Sequence, residues 1–212
     1  YDDFDKFHFL SQISTCEFLS CPKESYNYLL RTRAKIPKKK FFEKYSESIK
    51  AMKDLMKQIG WQFWTVCGTL LGWYRQCSII PYTTDIDFST WGFNAQENSI
   101  DGTNEEWINM NVENNTLLQI LYRWGHSDNN TEYTFYNMKD NIRLDMFFMF
   151  QNSSYFLMPF HFEPYYSYSF FSRYKLCSID LLGYKLLTSC NPEKTIFEEY
   201  GPEWRKPKED YN

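Results

Sequence analysis

Phe42, Tyr45, Ile49, Met52, Met56 and Ile59 recur at steps of three and four residues, with Lys and Glu between them, and Gly60 follows directly. That spacing lines one face of an α-helix with apolar groups, and a glycine is favoured where a helix ends. The expected helix over 41–59 runs straight into Trp61–Cys67, rich in the aromatic and β-branched residues that suit strands. This change of period sets a strand directly after a helix, the start of the mixed order of helices and strands that gives the class as α/β.

The same alternation continues along the chain. Gly68-Thr69 leads into Leu70–Arg75, read as a short helix, and Pro81 interrupts before Asp85–Trp91, which alternates polar and apolar like a half-buried strand. The Asn-rich stretch 94–115 reads as an excursion with one helical turn around Trp107. Thr116–Trp124 reads as a helix stopped at Gly125. Thr131–Tyr136 and Ile142–Phe150 flank the turn-forming residues Asn137–Asn141, which gives a β-hairpin. Tyr174–Leu187 adds further strand, and Asn191-Pro192 and Tyr200-Gly201 bracket a last short helix. The expected architecture is one α/β domain over 41–207, a mixed sheet flanked by helices. An irregular, aromatic-rich segment (1–40) precedes it and a short tail (208–212) follows.

Composition excludes several classes. At 212 residues, 43% hydrophobic and 24% charged, the chain is too apolar to be disordered, and 20% aromatic residues supply a large core. A net charge of −4 argues against nucleic acid as partner. The basic run from Arg31 to Lys40 is read as a solvated loop leading into a helix. No apolar stretch reaches 18 residues, so no membrane-spanning helix is expected within the chain, and any anchor is expected upstream of residue 1.

The six cysteines form no C-x2-C pair and are too scattered for a zinc knuckle. Three N-x-S/T sequons, at Asn114, Asn129 and Asn152, together with an even cysteine count, point to a secretory-pathway lumen. Local pairing is expected, Cys16 with Cys21 and Cys177 with Cys190.

Asp85 and Asp87 are where chemistry is expected. Two apart on a strand, their carboxylates share a face about 6–7 Å apart, where two charges repel by roughly 2–3 kcal/mol at an effective dielectric near 20. Asp145 lies in a second apolar strand, in Arg143-Leu-Asp-Met-Phe-Phe148. If the two strands are neighbours, three acids converge, and Mg²⁺ or Mn²⁺ would relieve the repulsion and clamp a phosphate. Gly68 and Thr69 at a strand-to-helix turn, with Arg75 further along, suit phosphate binding through backbone amides and a guanidinium fork. Taken singly, each of these features is also common as a turn, a surface ion pair or a strand edge.

Taken jointly, a glycine turn, a helix, an Asp-x-Asp strand and a later acid on a strand are laid out as in the polymerase-β-like nucleotidyltransferase fold. The run Gly68-Thr-Leu-Leu-Gly-Trp-Tyr-Arg75 through Pro81-Tyr-Thr-Thr-Asp-Ile-Asp87 resembles the fukutin/LicD-like family of phosphoryl-alcohol transferases. The Asp145 segment and Glu198-Glu-Tyr-Gly-Pro-Glu-Trp204 resemble that family's later motifs. Bacterial members carry an extra acid before the Asp-x-Asp. Here that stretch is Pro81-Tyr-Thr-Thr, which places the chain on the fukutin side.

The resemblance implies a Golgi-luminal protein-glycosylation enzyme that moves ribitol 5-phosphate from CDP-ribitol to a glycan on an acceptor glycoprotein. Asp85 and Asp87 would hold the metal across the diphosphate, Asp145 would complete the metal site and orient or deprotonate the acceptor hydroxyl, and Gly68, Thr69 and Arg75 would hold phosphate. The alternatives are the same fold with another CDP-alcohol, such as CDP-choline, and a non-catalytic module that binds a glycan or a partner.

Overall fold

A computed structural model describes residues 18–22, 39–92, 112–113, 115–125, 131–162 and 165–207. The elements are α1 (Lys39–Ile59), β1 (Phe63–Thr65), α2 (Cys67–Gln76), β2 (Asp85–Trp91), β3 (Leu118–Trp124), β4 (Glu132–Asn137), β5 (Ile142–Gln151), β6 (Tyr155–Phe162), β7 (Tyr165–Ser172), β8 (Leu176–Leu181), β9 (Tyr184–Ser189) and α3 (Pro192–Tyr200). The sheet runs β1-β2-β5-β4-β3. The end of β5 also pairs with β6, and β6 with β7, making seven strands. Among the described strands of this sheet, β2 and β5 pair in parallel and the other pairs are antiparallel, so the α/β domain has the expected mixed sheet. Residues β8 and β9 contribute form a separate hairpin, and Thr65 and Thr188 link it to β1 through hydrogen bonds to Leu187 O (3.3 Å) and Thr65 O (3.4 Å).

Two cores follow from the period-2 alternation of the central strands. Ile86 and Phe88 of β2, with Leu144, Met146 and Phe148 of β5, face α1, whose Tyr45, Ile49, Met52, Leu55 and Met56 are buried against them. The opposite face carries Trp64, Phe147 and Met149, covered by Phe156, Met158 and Phe171 of the β6–β7 hairpin. Each such buried side chain contributes roughly 1.5–3 kcal/mol. Asp85, Asp87, Arg143 and Asp145 lie on this second face, between the apolar positions of their strands.

Helix α1 starts two residues before the expected 41, β2 has the expected bounds, and α3 is bracketed as expected by Asn191, whose side chain accepts from Lys194 N, and by Gly201. Residues 116–124 are not helical. Residues 118–124 of this stretch form edge strand β3, whose register jumps from Ile120–Phe135 to Tyr122–Thr134 and leaves Leu121 as a bulge. The extra residue breaks the alternation, so Leu117, Leu118, Ile120, Leu121 and Trp124 fall at helical spacing along an extended chain. The stretch 174–187 is two strands rather than one, turning at Leu182 and Gly183, and 155–172, left unassigned by the sequence, is the β6–β7 hairpin.

Cys177 and Cys190 are bonded, as expected. Cys21, expected to pair with Cys16, is bonded instead to Cys77 at the end of α2, with Cα atoms 5.6 Å apart; Cys16 lies outside the described residues. The bond docks residues 18–22 on the domain, where Leu19 N also donates to Ser178 O (2.8 Å). Local proximity in sequence is outweighed here by this docking. Asn152 is exposed in the β5–β6 turn; Asn114, Asn129, Arg31–Lys38, Trp107 and the tail lie outside the described residues.

Candidate active site

The parallel register of β2 on β5 sets Asp85 opposite Arg143 and Asp87 opposite Asp145, and β4 adds Thr134 opposite Asp145. Cross-strand partners share a face, so three carboxylates from two strands meet, with one oxygen of each within 4.8 Å of the others. Asp87 and Asp145 are buried, 8% and 6% exposed, while Asp85 is half-buried. At this separation each charged pair repels by roughly 3 kcal/mol at an effective dielectric near 20.

The surroundings offset part of that repulsion. Arg143 bridges the group, with Nη2 on Asp85 Oδ2 (2.5 Å) and Nε on Asp145 Oδ2 (3.0 Å). Thr134 Oγ1 donates to Asp145 Oδ1 (2.7 Å), and Thr83 Oγ1 donates to Asp85 Oδ1 (2.7 Å). Thr83 is itself held by Tyr45 of α1, whose hydroxyl donates to Thr83 O (2.7 Å) and stays protonated, its pKa pushed up to about 12 by burial and the Asp85 charge.

Arg143 does not reach Asp87. Burial first, and then the charges of Asp85 and Asp145, push the Asp87 carboxyl well above the ordinary range. Burial also raises Asp145, against the pull of Arg143. Three hard oxygen donors with surplus negative charge fit a divalent cation such as Mg²⁺, Mn²⁺ or Ca²⁺.

Helix α2 starts against this group. Cys67 takes φ 46° at its first position, and Thr69 N then donates to Asp87 Oδ2 (3.3 Å) while Thr69 Oγ1 accepts from Asp87 N (2.8 Å). The backbone amide of Thr69, expected to face a phosphate, is therefore engaged with Asp87, and its hydroxyl oxygen holds the Asp87 amide. Gly68 is needed for the same contact, since a Cβ there would stand 3.0 Å from Asp87 Oδ2. Arg75 is buried on the last turn of α2, about 9 Å further along the helix axis than Thr69.

Two acids near the site were given no role by sequence reading. Glu132 stands on β4 two residues from Thr134, on the same face. Its pKa is pushed up to about 7 by burial and then by Asp145, and its Oε2 accepts from His161 N (3.3 Å). Glu199 of α3 is hydrogen-bonded to buried Cys67 and also pushed up to about 7 by burial; its charge acts on Asp87. The signal for Glu132 is a lone acid within the apolar run Thr131–Tyr136. Glu199 lies inside the C-terminal motif, but nothing in sequence connects it to Cys67.

Fold and site together define a mixed α/β domain with an acidic centre on the far side of its sheet from α1. The family described as LicD/FKTN/FKRP, nucleotidyltransferase domain, matches residues 60–191, and the chain belongs to that family. Among curated relatives, "Ribitol-5-phosphate transferase FKTN" of Homo sapiens is 23% identical over 209 residues, covering 96% of this chain and 43% of that protein. The mouse protein of the same name is 26% identical over 213 residues, with the same coverage. "Uncharacterized protein W02B3.4" of Caenorhabditis elegans is 28% identical over 145 residues, 65% of this chain and 35% of that protein. The chain thus spans less than half the length of the curated relatives it matches.

Proposed function

We propose that this domain transfers a phosphoryl-alcohol, ribitol 5-phosphate by kinship with its named relatives, from a CDP-activated donor to a glycan hydroxyl, releasing CMP. The observation that carries the reading is the convergence of Asp85, Asp87 and Asp145 across the β2–β5 register. These carboxylates would hold Mg²⁺ or Mn²⁺, which when bound neutralises the oxygens of the donor diphosphate. Arg143, half-exposed and paired with Asp85 and Asp145, would offer its guanidinium to the donor phosphates beside the cation those carboxylates hold. Gly68 and Thr69 set Asp87 in place, and the start of α2 borders the diphosphate. Arg75 supports donor binding from the far end of that helix.

In the transfer the acceptor oxygen forms a bond to the distal phosphorus, the bond from that phosphorus to the CMP oxygen breaks, and the hydroxyl proton passes to a nearby carboxylate, Asp145 in this reading. Catalysis is mostly positioning and charge stabilisation. The two disulfides fit an oxidising compartment, and a Golgi-luminal site belongs to the proposal. No helix among the described residues is long and apolar enough to cross a membrane.

The test offers the purified protein a panel of CDP-alcohols, CDP-ribitol and CDP-choline among them, with Mn²⁺ and a glycan acceptor, and follows CMP. Asp87→Asn should leave the metal-free melting temperature unchanged or slightly higher, because one repulsive charge is gone, and lower CMP release at least 100-fold. Full CMP release from that variant would remove the metal role. CDP binding without turnover in the unmodified protein would favour the non-catalytic module.

A further inference from the structure

A file of aromatic rings leads away from the acidic centre. On β3, Tyr122 is register-paired with Thr134, the donor to Asp145, and Trp124 with Glu132. Tyr122 and Trp124 stand 5.7 Å apart, and Trp124 stacks on His161 of β6 at 6.1 Å with planes 19° apart. The file continues to Tyr166 of β7 at 6.3 Å and to Tyr168 at 5.7 Å. Tyr122 and Tyr166 are 52% and 57% exposed, and the other three rings are partly open. Two strand spacings, about 10 Å, separate the backbone at Tyr122 from that at Asp145.

We infer that this aromatic file is a carbohydrate-binding platform on which the acceptor glycan stacks, one sugar ring per step, with its reactive hydroxyl delivered to Asp145. The inference rests on the transferase reading for its direction, but not for its ligand class. Aromatic faces are electron-rich and attract the weakly positive C–H faces of pyranoses, while tyrosine hydroxyls at the rim offer hydrogen bonds. The carboxyl oxygens of Glu132 and Asp145 at the inner end are acceptors for sugar hydroxyls. A single file of rings with polar tips matches a narrow, hydroxylated chain better than a protein face, which needs a broad patch of about 800 Å² per partner.

Saturation-transfer NMR on the intact protein, without metal or CDP, tests this with N,N′-diacetylchitobiose, lactose and cellotriose as probes. At least one probe should receive saturation, and Tyr122→Ala and Tyr166→Ala should each weaken its binding about 5-fold or more, because half-exposed rings can be removed without disturbing the core. Tyr166→Phe, which keeps the ring and loses only the hydroxyl, should bind more tightly than Tyr166→Ala. Unmodified melting temperatures would confirm that the variants are folded. Binding to none of the probes, or equal binding by the alanine variants, would overturn the platform. So would self-association in sedimentation that the same alanine changes abolish, since the file would then be a protein interface. Sugar binding that persists while no CDP-alcohol is turned over would defeat the transferase reading and leave the platform standing.

Discussion

Asp87 depends on the absence of a side chain at residue 68, where a methyl group would sit 3.0 Å from its Oδ2. The carboxylate is held from the same side by Thr69 N, so it has little room to retreat. Gly68→Ala should therefore leave the domain folded yet weaken Mn²⁺ binding about 10-fold, a shift of roughly 1.4 kcal/mol, readable by calorimetry. Thr69→Val keeps the shape but removes the oxygen that accepts from Asp87 N at 2.8 Å. A buried amide left unpaired costs about 1–3 kcal/mol, which urea unfolding would register. Equal metal affinity in the Gly68 variant would mean that Asp87 is not a ligand in the position described.

Helix α2 carries the site at its start and is pinned at its end. Gly72 lies so close to the following loop that a Cβ would meet Ser78 O at 2.7 Å and Ile80 N at 3.1 Å. Both obstacles are backbone, which cannot swing aside as a side chain can. Gly72→Ala should cost about 1–3 kcal/mol as an overpacked contact, visible as a lower urea midpoint with an unchanged slope. Beyond that contact, Cys77 caps the helix in a left-handed conformation and bonds to Cys21. Element α2 is thus a short rod fixed at both ends, and that rigidity keeps Thr69 against β2.

The molecule as a whole stores acids in places where they resist ionisation. Glu132 and Glu199, raised to about 7 by burial, keep their protons in the folded chain to a higher pH than in the unfolded one. Between about pH 4.5 and 7 the folded state binds more protons, so stability is full at the acid end and falls as pH rises through that window. Metal-free protein should accordingly melt at a lower temperature at pH 8 than at pH 5.5, and Glu199→Gln should flatten that difference. A stability that climbs with pH over this range would contradict the buried placement of both acids. The disulfides oppose unfolding at every pH. Closing sequence separations of 56 and 13 residues constrains the unfolded chain by about 4 and about 3 kcal/mol in the loop-entropy account. Reduction should lower the melting point, and Cys77→Ser should account for the larger share.

Local pattern alone determined several elements. Helix α1, strand β2, the β4–β5 hairpin and the caps of α3 were legible because helical and strand periods, and capping residues such as Asn191 and Gly201, act over a few residues. Asp85 and Asp87 shared a face for the same reason, since successive side chains on a strand alternate. The tertiary structure decided what spans distance. Asp145 meets Asp87 across 58 residues only because β2 and β5 pair in one parallel register, and that register is set by the packing of Ile86, Phe88, Leu144 and Met146 beneath α1. The bulge at Leu121, the bond of Cys21 to Cys77, the engagement of Thr69 with Asp87, and the positions of Glu132 and Glu199 likewise depend on neighbours remote in sequence. Periodicity records which face of an element is buried; which elements meet, and in what register, is an outcome of packing the whole chain.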